Sequence, residues 1–192
     1  MPRILILYGT TDGHTAKVAA ALARTLRLEG AVVTVADAGG PEPAPGPETF
    51  TAVIVAASVH AGGYQETVRR WVRQHLDALV PRPTAFVSVC LGVLQRDPAA
   101  AAELQAIYSR FVGDTGWRPG TMKMVAGALL YTHYGWLKRW MMRRIAAKAH
   151  GDVDTSRDYE YTDWADLQGF ARDFLAAVRR PRLTPAPEAL TA

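Results

Sequence analysis

Three short stretches of this chain concentrate residue types that can hold a ligand. The first, Tyr8-Gly9-Thr10-Thr11-Asp12-Gly13-His14-Thr15, places three threonines and two glycines between an apolar run and a helical pattern. Gly13 permits a sharp backbone turn, so successive N–H groups can converge on one anion. The positive end of the helix that follows adds to the attraction, and Thr10, Thr11 and Thr15 can each donate a hydroxyl hydrogen. A phosphate held in this way needs no lysine or arginine. The loop lacks the three spaced glycines of a dinucleotide fingerprint and the Gly-Lys-Ser/Thr of a P-loop. The same residues also serve an ordinary helix cap.

The second stretch is Ser58-Val59-His60-Ala61-Gly62-Gly63-Tyr64. Its small residues let backbone approach a flat ligand, and His60 and Tyr64 offer π-surfaces to flank a ring. Each also has a plain reading, His60 as a solvated loop residue and Tyr64 as an apolar residue at a helix start. The third stretch, Cys90-Leu91-Gly92, is apolar and suits either the edge of a ring or simple packing. No side chain stands out as a general base. His60 is the nearest candidate and His133 the second, because imidazole exchanges protons near neutral pH.

The elements that must position these stretches alternate between strand and helix. Arg3–Tyr8, Ala31–Ala36, Ala52–Ala57, Thr84–Cys90 and Met122–Ala128 read as strands. Helical spacing covers His14–Leu28, Tyr64–Leu79 and Pro98–Val112, and a final helix runs from about Trp164 to Val178 behind an Asp163 N-cap. Gly39–Glu48 reads as an exposed stiff loop. Strands that are apolar throughout and separated by helices predict a parallel sheet covered on both faces. Right-handed crossovers then limit the topology to α/β doubly wound folds, whose ligands bind at the carboxyl ends of the strands. All three stretches follow predicted strands.

With 192 residues, 49% hydrophobic and 21% charged, the chain has the size and balance of one ordinary globular domain. The expected division is a domain over residues 1–178, interrupted by an insertion at about 129–160, and a loose tail at 179–192. Cys90 is the only cysteine, which excludes an intrachain disulfide or a multi-cysteine metal site, and no metal is expected. No apolar run is long enough to span a bilayer and no secretory leader is visible, so a cytoplasmic location is expected.

The net charge is +4, yet residues 129–149 alone carry Lys138, Arg139, Arg143, Arg144 and Lys148 with no acid. On a helical wheel Trp136, Leu137, Trp140, Met141 and Ile145 share an apolar arc, with Tyr131 and Tyr134 just before it. Three readings compete for this basic aromatic segment. It can lie on an anionic membrane surface. It can bind a flat ring that carries carboxylates. Or it is an extra helix with solvated charges. Nucleic-acid binding is the poorest reading, because no recognition motif accompanies the charge.

A resemblance sharpens these readings. Thr10, Gly13 and Thr15 match the Ser/Thr-x-Thr-Gly-x-Thr phosphate loop of flavodoxins, with Asp12 in place of a hydroxyl. A carboxylate there must turn away from a phosphate, and Asp12 is also placed to cap the helix. Further features are Ala57-Ser58-Val59-His60 with Gly62 and Tyr64, then Trp117-Arg118-Pro119 and Val125-Ala126-Gly127-Ala128-Leu129. Tyr131, Tyr134 and Trp136 follow, then Gly151, Asp154-Thr155 and Tyr161-Thr162-Asp163-Trp164. In this order and spacing, over about 180 residues, the chain resembles the flavodoxin-like, menaquinone-dependent protoporphyrinogen IX dehydrogenases of haem biosynthesis. It departs from them at Gly9, where a serine is expected, and over Leu91–Ala102.

The resemblance implies a flavodoxin-like fold with strand order 2-1-3-4-5 and the insertion before the last helix. It implies FMN held by Thr10, Thr11, Asp12, Gly13, His14, Thr15, Ser58, Val59, His60, Ala61, Gly62, Tyr64, Cys90, Leu91 and Gly92. It further implies oxidation of a porphyrinogen, transfer of electrons to a membrane quinone, and a peripheral position on the inner face of the cell membrane. Tyr131, Tyr134, Trp136, Arg139, Trp140, Arg143 and Arg144 become residues for substrate or membrane. A flavodoxin-type electron carrier is typically acidic around its flavin, unlike this chain. An NAD(P)H:quinone reductase fits the length, but no second nucleotide loop is visible. A non-enzymatic flavin-binding or membrane module is a further alternative, and a homo-oligomer stays open.

Overall fold

A computed structural model describes residues 1–94, 97–129 and 154–180. Five parallel strands form one sheet in the order β2-β1-β3-β4-β5. These are β1 (Arg3–Gly9), β2 (Val32–Asp37), β3 (Ala52–Ser58), β4 (Thr84–Val89) and β5 (Thr121–Val125). The expected doubly wound order is therefore the observed one, and it reverses between β1 and β3. Alternation along the strands divides the core in two. Ile4, Ile6, Ile54 and Val87 face Val18, Leu22 and Leu26 of α1 (His14–Leu28) and Leu167, Phe174 and Leu175 of the last helix, α5 (Trp164–Arg179). Leu5, Leu7, Val55 and Phe86 face Val68 and Trp71 of α2 (Glu66–Gln74) and Ile107 and Phe111 of α4 (Pro98–Thr115).

Several boundaries differ from the sequence expectation. The predicted helix over Tyr64–Leu79 is two pieces, α2 and the short α3 (Leu76–Leu79), because His75 leaves helical geometry at φ −116° and ψ 20°. Part of the proline-rich loop is ordered by a 3₁₀ turn at Pro47–Thr49, with Pro47 buried. Asp97 caps α4 by accepting from Ala99 N–H, with Pro98 in the first turn. Asp163 caps α5 as expected, accepting from Asp166 N–H at 2.9 Å.

The predicted fifth strand also ends early. After Val125 the carbonyls of Ala126 and Gly127 are taken by Thr162 Oγ1 and Tyr161 N–H. Ala128–Leu129, β6, then pairs antiparallel with Tyr159–Glu160, β7. The two ends of the insertion are thus closed into a small ladder beside the sheet. The insertion between them, from 130 to 153, lies outside the described residues, as do Gln95, Arg96 and 181–192.

Gly9, where the resemblance expects serine, has a local physical reason. A Cβ built there would stand 2.5 Å from Val68 Cγ2 and 3.1 Å from Gln65 Oε1. The end of β1 is therefore pressed directly against α2. Gly9→Ser is expected to destabilise the chain by about 1–3 kcal/mol through overpacking, read as a lower urea midpoint at an unchanged m-value.

Candidate functional site

The carboxyl ends of β1, β3 and β4 meet at one cavity of about 430 Å³. Thr10, Thr11, Asp12, His14 and Thr15 line it from the first loop, and Ser58, Val59, His60, Ala61 and Gly62 from the second. Cys90, Leu91 and Gly92 contribute from the third, which is a 3₁₀ turn over Leu91–Leu94. Fourteen of the fifteen expected cofactor residues therefore surround this space or, for Gly13, shape the loop that does.

Tyr64 is the exception, and its expected place against a ring is corrected. Its side chain is buried in the core, edge-on to Phe86 and Phe111, with its hydroxyl 2.8 Å from Ser88 Oγ. Burial pushes its pKa up to about 12. An apolar ring at the start of a helix fell into the core because α2 packs on the sheet there.

The first loop fits an anion. Gly13 adopts φ +87° at the N-cap of α1 and has no side chain with which to cap the helix. Thr10 Oγ1 accepts from Gly13 N–H at 2.9 Å, and Thr11 Oγ1 accepts from Gln65 Nε2 at 3.2 Å. Both hydroxyl protons remain available to a ligand. Thr15 is buried, lines the cavity, and its Oγ1 has no hydrogen-bond partner among the described residues. Ala16 N–H already donates to Gly13 O at 3.1 Å, which leaves the N–H groups of His14 and Thr15 at the first turn without an acceptor in the helix. A phosphate satisfies this set of donors, so the residues fit the phosphate of a flavin mononucleotide. The described lining holds Asp12 and Glu103 but no lysine or arginine.

The second loop is a tight turn. His60 N–H donates to Gly63 O at 2.8 Å and Gly63 N–H to His60 O at 3.1 Å. The turn places Ala61 and Gly62 at φ 48° and 77°. Its backbone can approach a flat ligand closely, and His60 is exposed at its base. Cys90 Sγ accepts from Gly92 N–H at 3.2 Å, and burial pushes its thiol pKa up.

Sequence reasoning missed several contributors. Gln65 joins the first two loops, donating to Ser58 Oγ at 2.7 Å as well as to Thr11. One wall of the cavity is α4, through Ala100, Glu103, Leu104 and Ile107. Gly127 and Ala128 close it beside the root of the insertion. His133, Tyr131, Tyr134, Trp136, Arg139, Trp140, Arg143 and Arg144 lie outside the described residues.

His14 turns its ring toward that root. Thr162 gives its only hydroxyl proton to Ala126 O at 2.7 Å. His14 Nε2, 2.7 Å from Thr162 Oγ1, must therefore carry a hydrogen and donate it. Nδ1 lies 3.7 Å from Glu160, which is held by Lys17 at 2.5 Å and by Trp164 Nε1 at 2.9 Å. Burial lowers the pKa of His14, with Glu160 opposing and Lys17 reinforcing the shift. The folded chain thus binds fewer protons here than the unfolded chain. Stability from this group is present above the unfolded value of about 6.5 and is lost as pH falls below it. His14→Gln keeps a donor for Thr162 and removes the titration. Its urea midpoint is expected to fall less than that of the parent between about pH 7.5 and about pH 5.5. An equal fall in both would count against His14 as the titrating group.

Comparison with known proteins agrees with this geometry. A family model described as a flavodoxin domain matches residues 5–156. Protoporphyrinogen IX dehydrogenase [quinone] of Escherichia coli (strain K12) is 33% identical over 182 residues, covering 94% of this chain and 99% of the relative. The protein of the same name from Leishmania major is 32% identical, covering 91% of this chain and 75% of the relative. Among solved structures, the Streptococcus pneumonia TIGR4 flavodoxin superposes with a TM-score of 0.54 at 16% identity, over 91% of this chain and 99% of that one. Oxidised Flavodoxin 1 from Bacillus cereus gives 0.52 at 12% identity, over 91% and 97%. At these identities the structures speak for the fold alone. Flavin binding goes with the matched domain. The chain belongs to the flavodoxin-domain family and, within it, to the family of quinone-dependent protoporphyrinogen IX dehydrogenases.

Proposed function

We propose that this chain is an FMN-dependent enzyme that oxidises protoporphyrinogen IX to protoporphyrin IX and passes the electrons to a membrane quinone, menaquinone in the first instance. The observation that carries this reading is the near-full-length similarity to the Escherichia coli dehydrogenase. When bound, FMN supplies a two-electron redox centre able to take hydride from a porphyrinogen methylene bridge and to be reoxidised by quinone.

The protein's own part is positioning. Thr10, Thr11, Thr15 and the start of α1 hold the phosphate without any basic side chain. The Ser58–Gly62 turn and Cys90–Gly92 border the ring. Val59, Leu91, Leu104 and Ile107 supply apolar walls that keep water from the reacting face. We assign the acceptance of a proton leaving the substrate to His60, which is exposed, with His133 the second candidate.

The proposal extends to organisation and location. Residues 1–178 act as one domain, and 179–192 as a tail. The basic aromatic segment 129–149 meets an anionic membrane surface, the substrate, or both, at the inner face of the cell membrane. No helix among the described residues is long and apolar enough to cross a membrane.

The purified chain is expected to be yellow and to release flavin as the mononucleotide. Anaerobic porphyrinogen should bleach it, and a menaquinone analogue should restore the colour. Colourless protein that cannot be reconstituted would overturn flavin binding. Reduction by NADPH alone, with porphyrinogen inert, would replace this reading with that of a quinone reductase.

A further inference from the structure

Resting on the reading of the substrate as a porphyrinogen, we propose that Arg110 binds one of its carboxylate arms, reached across the Ala61–Gly62 turn. In the large cavity the hydroxyl and N–H donors of the first loop are assigned to the flavin phosphate, and the described lining otherwise offers the acids Asp12 and Glu103 but no lysine or arginine. A second cavity, of about 260 Å³, lies on the other side of the turn. The two share His60, Ala61, Gly62 and Ile107, so one ligand can span both. The smaller one is lined by two guanidinium groups, Arg69 and Arg110, over an apolar floor that includes Phe111.

The charges in this second cavity differ in their commitments. Arg69 lies 2.7 Å from Glu66 and 3.3 Å from Asp114, so it and Asp114, the one acid of the lining, largely satisfy each other. Arg110 has no such partner. Its Nη1 donates to Gly62 O at 3.3 Å, and no carboxylate lies within ion-pair distance among the described residues. Most of its planar fork of donors therefore remains free for bidentate binding of a carboxylate. The same guanidinium touches the turn that borders the flavin ring. A carboxylate on Arg110 would thus set the distance between a substrate arm and the reacting face. The chemistry asks for a flat, largely apolar substrate with a short acidic arm.

The test compares Arg110→Gln and Arg110→Lys with the parent, using protoporphyrinogen and its methyl ester as paired substrates. Glutamine removes the charge and is too short to reach Gly62 O, so the turn is left to its own backbone bonds between His60 and Gly63, and the ester reads any effect of losing the contact to Gly62. Arg110→Gln is expected to raise KM for the free acid roughly tenfold with kcat within about twofold. Arg110→Lys, which keeps the charge but lacks the fork, should fall between. KM for the ester should not respond to either change. The same pattern should appear in protoporphyrin binding followed by fluorescence quenching, which requires no turnover.

An unchanged KM for the free acid would overturn the proposal. So would an equal loss for acid and ester, which would reduce Arg110 to a support of the turn. If the parent oxidises neither substrate, the reading of the reaction fails instead. The quenching titration then still decides on Arg110. A preference of the parent for acid over ester that is lost in Arg110→Gln supports it, and no preference overturns it.

Discussion

Thr15→Val is expected to weaken FMN binding about tenfold to a hundredfold while leaving the flavin-free chain no less stable. The two effects have opposite origins. Thr15 Oγ1 is buried and without a hydrogen-bond partner among the described residues, so in the flavin-free chain the hydroxyl contributes only a desolvation cost of about 1–3 kcal/mol. Valine fills nearly the same volume, and both residues are β-branched with similar helix propensity. A hydrogen bond from this hydroxyl to a phosphate is charge-assisted and contributes about 1.5–3 kcal/mol, which gives the expected loss of affinity. Thr10→Val should behave differently, because Thr10 Oγ1 accepts from Gly13 N–H and holds the loop itself. It should cost both stability and affinity. Since both hydroxyls are aimed at one anion, the double variant is expected to depart from additivity. Flavin fluorescence titration and urea unfolding of the flavin-free protein read the two quantities separately. A Thr15→Val chain that binds FMN like the parent would show that the phosphate is held elsewhere.

The split between Thr10 and Thr15 also marks how far sequence reading could go. That Thr10, Gly13 and Thr15 stand in a phosphate-type loop is legible, because strand, turn and helix are consecutive and local chemistry dictates the turn. Which hydroxyl is engaged by the protein is not, since that depends on the packing of the folded loop. His14 sits in the same loop, but its partner Thr162 is 148 residues away, and nothing in the local pattern turns the ring toward it. Gln65 is similar, because its bonds to Thr11 and Ser58 arise only once β1 and β3 lie side by side.

The sheet itself was legible for a physical reason. A strand buried on both faces must be largely apolar, and the central strands β1, β3 and β4 are, while the edge strands β2 and β5 are partly exposed and carry Thr34 and Lys123. The end of β5 was not, because Ala128–Leu129 has the same apolar character whether it continues the sheet or pairs with Tyr159–Glu160. Tyr64 shows the same limit in a side chain. A tyrosine beside a ligand and a tyrosine beneath it have the same sequence context, and only the aromatic neighbours decide.

Those neighbours set the second large expectation. Phe86→Ala is expected to destabilise the chain by about 3–5 kcal/mol, lowering Tm by roughly 6–20 °C. Phe86 is fully buried on β4 and stacks on Phe111 with centroids 4.8 Å apart and planes at 18°. It meets Tyr64 edge-on at 5.0 Å and Trp117 at 6.1 Å. Truncation removes one ring from a cluster drawn from β4, α4 and the start of α2, leaving a cavity those elements cannot all close around. Phe86→Leu, which keeps apolar bulk, should cost less.

The functional consequence runs through Tyr64, which follows directly on the His60–Gly63 turn and is anchored by Phe86 and Ser88. Bound FMN stabilises the folded chain by an increment fixed by its concentration and affinity. If the aromatic cluster only supports the core, that increment is the same in parent and variant. If it also fixes the turn, the increment shrinks in Phe86→Ala, and the latter is expected. Tm measured with and without excess FMN distinguishes the two. In Thr15→Val the increment should shrink with Tm of the flavin-free chain intact, so each variant serves as the other's control. An undiminished increment in Phe86→Ala would confine Phe86 to stability and leave the turn to be held by its own backbone bonds and by Arg110.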